Sequence, residues 1–295
     1  MLNVVKNKKY FFALPLVILL VAVIVYITAG GFVLGVDFAG GSEMVFNIKT
    51  TIDKDAVSDL FEEATGKKPV AVQESLLEAT VVTIKSETLT ADEVEKAWNS
   101  FKEKYSLEDG DRLSVNNVSP TIGKELAKGA IVASIVAVIL MLLYISVRFE
   151  LLSGVAAIIA LIHNVLMLLS AYVILRMPLD TTFIAAILTI IGYSINDTIV
   201  IFDRIRENVK FSKREPFADI SVKSISQSLT RTLNTSVTTL ITIVLLLILG
   251  VDSIKNFALA LTIGIICGTY SSICIATPIW VILRGDEKKA VKAKK

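Results

Sequence analysis

The sequence predicts a polytopic α-helical membrane protein: six transmembrane helices with one extracytoplasmic α+β domain of ferredoxin-like βαββαβ order. Three observations predict it. Of 295 residues, 54% are hydrophobic, and the mean hydropathy is +0.67, where a soluble domain has about 45–50% apolar residues. The apolar residues gather into runs of about 20, each long enough to cross roughly 30 Å of hydrocarbon. Charge is segregated: residues 30–128 hold 11 basic and 18 acidic side chains, the remainder 19 and 10. A soluble enzyme is excluded, and an acidic insert beside basic flanks indicates sidedness rather than nucleic-acid binding.

Residues 1–9 read as a cytoplasmic N-terminus and residues 10–29 as the first span, preceded by Lys6, Lys8 and Lys9. Its apolar stretch is longer than the roughly 7–15 residues of a cleavable signal. It runs into Thr28-Ala29-Gly30-Gly31 without a clear A-x-A site, so it reads as a retained anchor.

Residues 30–125 form the insert. Ser42–Lys49 alternates as a strand, and Asp53–Thr65 reads as a capped amphipathic helix ended by Gly66. Pro69–Leu77 and Thr80–Ser86 read as two more strands. Thr90–Tyr105 opens on a capping-box pattern and runs as a helix, and Leu113–Val118 is the last strand. The order βαββαβ is that of a ferredoxin-like sandwich.

Residues 126–283 carry spans two to six: Leu126–Val147, Leu151–Leu175, Thr181–Phe202, Thr232–Leu249 and Phe257–Leu283. Residues 284–295 are a basic tail. With the N-terminus inside, the short cytoplasmic segments hold 17 basic residues; the outer loops hold Arg176 and Lys255. The positive-inside rule therefore places both termini in the cytoplasm of the cell membrane and the acidic domain outside.

Strongly polar side chains within these spans are costly and demand a reason. Asp197, Asn196 and Tyr193 lie in span four, Arg231 and Asn234 lead span five, and His163 with Asn164 sits in span three. Asp197 is about 25 Å of helix below the outer joint at Asp180, and Arg231 about 28 Å below the turn at Gly250. The two charges are thus expected at similar depth, where they could pair. Arg231, Asn234, Thr235, Thr238 and Thr242 recur at three or four residues and form a polar stripe. Thr189, Tyr193, Asn196 and Asp197 form another, and together the two would line a hydrated path. A carboxylate in low dielectric favours its neutral form and a neighbouring guanidinium its charged form, which suits proton exchange. The bland alternatives are a static ion pair, an interfacial arginine anchor, a lone His163 that merely packs, and threonines bonded to their own helix.

No hydrolytic chemistry is supported: there is no HExxH, no Walker loop and no GxSxG. Cys267 and Cys274, seven residues apart, are about 10 Å apart along a helix, beyond disulfide reach, and no thiolate metal site is present. The protein reads as a non-enzyme without a cofactor, its coupling ion a proton with sodium as the alternative.

Gly35-Val36-Asp37-Phe38-Ala39-Gly40-Gly41, Val118–Leu126, Ile191–Asn208 and Leu229–Leu240 resemble the SecD/SecF family of protein-export membrane proteins, within the resistance–nodulation–division superfamily, over essentially the whole chain. The resemblance implies a subunit that pairs with SecD, assists the SecYEG channel and uses the proton gradient to promote export of unfolded precursor proteins. It carries the family's proton-linked acid and arginine onto Asp197 and Arg231. The supporting polar path would be Tyr193, Asn196, Asn234, Thr235, Thr238 and His163. Two departures stand out: the family often has His-Asp where this chain has His163-Asn164, and VGP where it has Val118-Ser119-Pro120. The rival readings are a half-transporter exporting a lipid or small molecule, and a non-conducting structural partner of the channel.

Overall fold

The computed structural model describes residues 4–75, 79–148, 150–212, 215–250 and 252–285. Leu76 and Leu77 of the second expected strand, and residues 286–295 of the basic tail, lie outside the described residues. Two compact units emerge: Val33–Val132 with Pro178–Thr181, and the remaining helical segments.

The chain opens with α1 (Lys8–Thr28) and continues into the first unit through β1 (Val33–Leu34) and the single turn α2 (Val36–Ala39). Next come β2 (Gly41–Asn47), α3 (Lys54–Thr65), β3 (Ala71–Glu74), β4 (Val81–Ser86), α4 (Ala91–Tyr105) and β5 (Arg112–Val118). The four longer strands form an antiparallel sheet in the order β3-β4-β2-β5, with Met44 opposite both Ile84 and Val115.

Local chemistry starts and stops these elements. The Asp53 carboxylate accepts from the amides of Asp55 and Ala56 and so caps α3, which ends at Gly66 in the left-handed region. Thr90 and Glu93 exchange side-chain to backbone bonds, a reciprocal capping box that opens α4. Period-two alternation sends Met44, Phe46, Val82 and Ile84 to one sheet face. There they bury against Val57 and Phe61 of α3 and Val94, Trp98 and Phe101 of α4. Phe46 is the centre, its ring 5.3 Å from Trp98 and 5.2 Å from Phe101.

Glycine is required where β2 begins. Gly41 has φ +113°, and a Cβ there would sit 2.4 Å from the Ser86 carbonyl oxygen. Ser119, the departure from VGP, is not in the positive-φ region, so no glycine is needed. Its hydroxyl instead accepts from the Ile122 amide just as the next helix starts at Pro120.

The helices that follow are α5 (Pro120–Arg148), α6 (Leu151–Ile174), α7 (Thr181–Phe211), α8 (Phe217–Leu249), α9 (Asp252–Ser271) and α10 (Thr277–Arg284), with the two-residue β6 (Pro178–Leu179) before α7. Six helical segments, among them α9 with α10, are long and apolar enough to cross a membrane. The chain is a polytopic helical membrane protein.

Two boundaries differ from the sequence reading. The polar joint expected over Asp203–Arg231 is largely helical, as the ends of α7 and α8. Ion pairs Arg204–Glu207 and Asp203–Arg206 hold the end of α7, Asn208 donates to Ser224 and Gln227 on α8, and Phe202 and Phe217 both pack on Trp280. The last span is interrupted by a π segment at Ser272–Ala276. Pro278 has no N–H to offer the Cys274 carbonyl, so the α-helical ladder widens just before it.

Outside the membrane helices, Glu43 and Lys85 form a mostly buried pair 3.6 Å apart. Burial pushes the Glu43 carboxyl up from its ordinary value; Lys85 pulls it back, and Asp180 and Asp37 push it further up. The folded state therefore holds that proton more tightly than the unfolded chain. Its contribution to stability is present below the ordinary carboxylate value and is lost as pH rises through the shifted one. Asp111, held below its usual range by Lys49, acts oppositely and loses its contribution as pH falls. Replacing Glu43 by Gln should lower amide protection overall, because Lys85 loses its counter-charge. It should also flatten the decline in protection of β2 and β4 above about pH 4.5, measured by hydrogen exchange on the full chain with intrinsic rates removed. Phe46→Ala should cost about 3–5 kcal/mol in the same measurement.

Candidate functional site

In the helical unit the decisive feature is a set of polar side chains buried between helices. Asp197 is 3% exposed, on the face of α7 that also buries Ser194, Thr198 and Ile201. The Ser236 hydroxyl of α8 is the side chain that faces it, while Oδ2 has no hydrogen-bond partner among the described residues. Ser236 also bonds the Thr269 hydroxyl of α9 at 2.7 Å, and the Tyr193 hydroxyl approaches Ser236 at 3.5 Å. One acid is thereby tied to three helices.

A second polar link runs beside it. Asn164 of α6, 1% exposed, donates to the Ser194 hydroxyl. Thr198 and Ser272 share a hydrogen bond of 2.9 Å, and Ser272 also reaches the Ser194 carbonyl at 3.2 Å. His163 lies half-buried with Nδ1 3.3 Å from the Asn164 oxygen; its Nε2 is buried without a partner among the described residues. With Asn at 164 the pair offers a carboxamide, which donates, orients and packs but does not take up or release a proton.

Backbones approach closely here because small residues allow it. A Cβ at Gly264 would lie 2.0 Å from Ile190 Cδ1 and 2.4 Å from its Cγ1; one at Gly268 would lie 3.3 Å from Ser194 Cβ.

The other expected site residues point elsewhere. Arg231, Asn234, Thr235 and Thr238 are exposed, whereas Ser228, Thr232 and Ser236 fill the buried face of α8. Asn196 is likewise exposed beside buried Asp197. The expected direct pairing is corrected: Asp197 and Arg231 form no ion pair among the described residues. The reason is rotation, since one residue along a helix turns the side chain by about 100°. The stripe threonines bond their own helix, Thr235 to the Arg231 carbonyl, Thr238 to Asn234 and Thr242 to Thr238.

Residues that the sequence reading passed over carry much of the interior: Ser194, Thr198, Ser236 and Thr269. A signal for Ser236 existed in the fourfold spacing Ser224, Ser228, Thr232, Ser236, which marks one continuous helix face as polar.

The model of the family described as protein export membrane protein SecD/SecF, C-terminal, matches residues 98–286. The protein translocase subunit SecF of Alicyclobacillus acidocaldarius is 37% identical over 300 residues, covering 99% of this chain and 96% of that protein. The protein translocase subunit SecDF of Bacillus subtilis is 39% identical over 96% of this chain, which spans 38% of that longer protein. A crystal structure of SecDF, a translocon-associated membrane protein from Thermus thermophilus, superposes with a TM-score of 0.84 at 34% identity, covering 95% of this chain and 38% of that one.

The packing makes a direct forecast. Gly264→Leu should lower the thermal midpoint of the purified protein more than Ser236→Ala. Overpacking costs about 1–3 kcal/mol, against about 0.6–2 kcal/mol for one interhelical hydrogen bond in a membrane. Adding Ile190→Ala to Gly264→Leu should recover most of the loss, because it empties the space the new side chain needs.

Proposed function

The chain belongs to the SecD/SecF protein-export family, and on that footing we propose that it is an accessory subunit of the Sec translocation machinery. In this reading it pairs with SecD, works beside the SecYEG channel and uses the proton gradient to promote export of unfolded precursors. The names and lengths of its relatives support this: a separate SecF matches end to end, and SecDF relatives carry the matching region within one longer chain. The α+β unit serves as an extracytoplasmic ferredoxin-like domain. Its βαββαβ order with strands in the order β3-β4-β2-β5 supports that assignment, and the distribution of Lys and Arg supports the orientation, with both termini in the cytoplasm.

The observation that carries the mechanism is Asp197, which among the described residues is the one acid buried within the helical unit and has no hydrogen-bond partner for Oδ2. A carboxylate that gains a proton there loses its charge and trades an acceptor for a donor. The contact with Ser236, and through it with Thr269, then loses the pull of the negative charge. Protonation thus changes how α7, α8 and α9 hold one another. This is a bistable contact of the kind that converts a local event into helix movement. One charge crossing 100 mV supplies about 2.3 kcal/mol to bias it.

Arg231, Asn234, Thr235 and Thr238 enter through a partner. Strongly polar side chains facing lipid are costly, so their exposed face on α8 suits a second membrane protein better than lipid. SecD is that partner in this reading, and the arginine acts at the shared boundary. Protein movement, not bond chemistry, is the output, so the chain is not an enzyme. A non-conducting structural role is the second reading, favoured by the stripe threonines, whose hydroxyls are bonded to their own backbone.

Asp197→Asn should leave the protein at normal abundance in the membrane and reduce gradient-dependent precursor export at least tenfold in vesicles. Normal export by this variant rejects proton coupling, and dependence on external sodium at fixed pH reassigns the ion. A photo-crosslinking residue at Asn234 should capture SecD, whereas one at the buried Thr232 should not.

A further inference from the structure

The short helix α2 is a joint between the sheet and two membrane helices. Asp37, its second residue, accepts through Oδ2 from both the backbone amide of Thr181 at 3.0 Å and the Thr181 hydroxyl at 2.6 Å. Thr181 is the first residue of α7, the helix that bears Asp197. A helix start is usually capped by the residue just before it. At the start of α7 the Asp37 carboxylate, 144 positions away in sequence, also reaches the first amide.

The surrounding contacts make this a strap rather than an isolated bond. β1 and β6 pair in parallel, Val33 with Pro178 and Leu34 with Leu179, and the Gly35 amide donates to the Leu179 carbonyl at 2.7 Å. A Cβ on Gly35 would come within 3.0 Å of Asp180 Cβ, so the two segments are in close contact. On the other side, a Cβ at Gly40 would lie 2.6 Å from Pro120 Cα, and one at Gly123 would lie 3.2 Å from the Phe38 carbonyl oxygen. α2 therefore touches the first turn of α5 as well, and β2, the central strand beside β4 and β5, follows directly at Gly41.

We propose that Asp37 is the positioning residue through which movement of α7 is passed to α2, and from α2 into β2 and the start of α5. This rests on the reading of Asp197 as the proton-exchanging group. An axial or tilting shift of α7 carries Thr181 with it. A carboxylate holding both its amide and its hydroxyl follows, where a freely hydrated helix end would slip. The charge suits the task, since an anion at a helix N-terminus gains from the amide dipoles there. The Leu34–Leu179 pairing keeps the two segments in register while the load is borne.

The test separates coupling from conduction, using the full chain with SecD in vesicles and reading precursor export and proton uptake together. Asp37→Ala should reduce gradient-dependent export at least fivefold while proton uptake stays within twofold of wild type. Asp37→Asn, which keeps an acceptor oxygen, should restore export to within twofold. A disulfide between Leu34→Cys and Leu179→Cys, built with Cys267 and Cys274 replaced by Ser, should rescue Asp37→Ala by closing the strap covalently. Export by Asp37→Ala within twofold of wild type overturns the inference. So does a parallel loss of export and uptake that neither Asp37→Asn nor the disulfide repairs. Equal proton uptake by wild type and Asp197→Asn overturns the underlying proton reading instead, and the coupling role with it.

Discussion

Hydrocarbon offers a polar side chain no water to fall back on, so hydroxyls and amides buried in the helical unit turn to their own backbone or to a neighbouring helix. That constraint organises the membrane part. Asp197, facing the hydrogen-bonded Ser236 and Thr269, brings α7, α8 and α9 together in one polar group, and Asn164, Ser194, Thr198 and Ser272 bind α6, α7 and the last span through another. Apolar contacts between such helices resemble those with lipid, so they hold position weakly. Hydroxyls and glycines do more to set the registers, as Gly264 against Ile190 shows.

The sheet unit obeys the opposite solvent. Water surrounds it, its core is a cluster of Phe46, Phe61, Trp98 and Phe101, and its helices are started by Asp53 and by the Thr90–Glu93 box. Its buried ionic pair, Glu43 with Lys85, is the exception, set among Asp37 and Asp180. Two kinds of stability thus coexist in one chain, apolar burial in one unit and polar satisfaction in the other.

This division explains how much was legible in the sequence. Water gives a solvated helix two contrasting faces, so α3 and α4 and their caps could be read almost to the residue. The apolar runs gave the number of membrane helices directly. Rotation of those helices was not legible, because leucine and isoleucine surround them on all sides and leave no contrast. On α8 two polar series interleave, Arg231, Asn234, Thr235 and Thr238 against Ser228, Thr232 and Ser236. The charged, conspicuous series was the natural one to aim inward, yet the small hydroxyls occupy that position. Small polar groups pack closely and bond their own carbonyls when unneeded, which a guanidinium cannot do. The long ends of α7 and α8 were also hidden: their polar residues resemble a loop until Phe202, Phe217 and Trp280 are seen to meet.

The parallel pairing of Val33–Leu34 with Pro178–Leu179 bears on how the molecule is made. Its earlier half leaves the ribosome long before its later half, with the whole sheet unit and the helices α5 and α6 synthesised in between. Until then the β1 edge stays unzipped and Asp37 has no amide to hold. The two halves can meet only on one face of the bilayer, so a nascent chain in which only one of α5 and α6 crosses the membrane would strand them on opposite faces. Zipping of this pair is therefore a checkpoint that a correctly threaded chain passes and a misthreaded one does not.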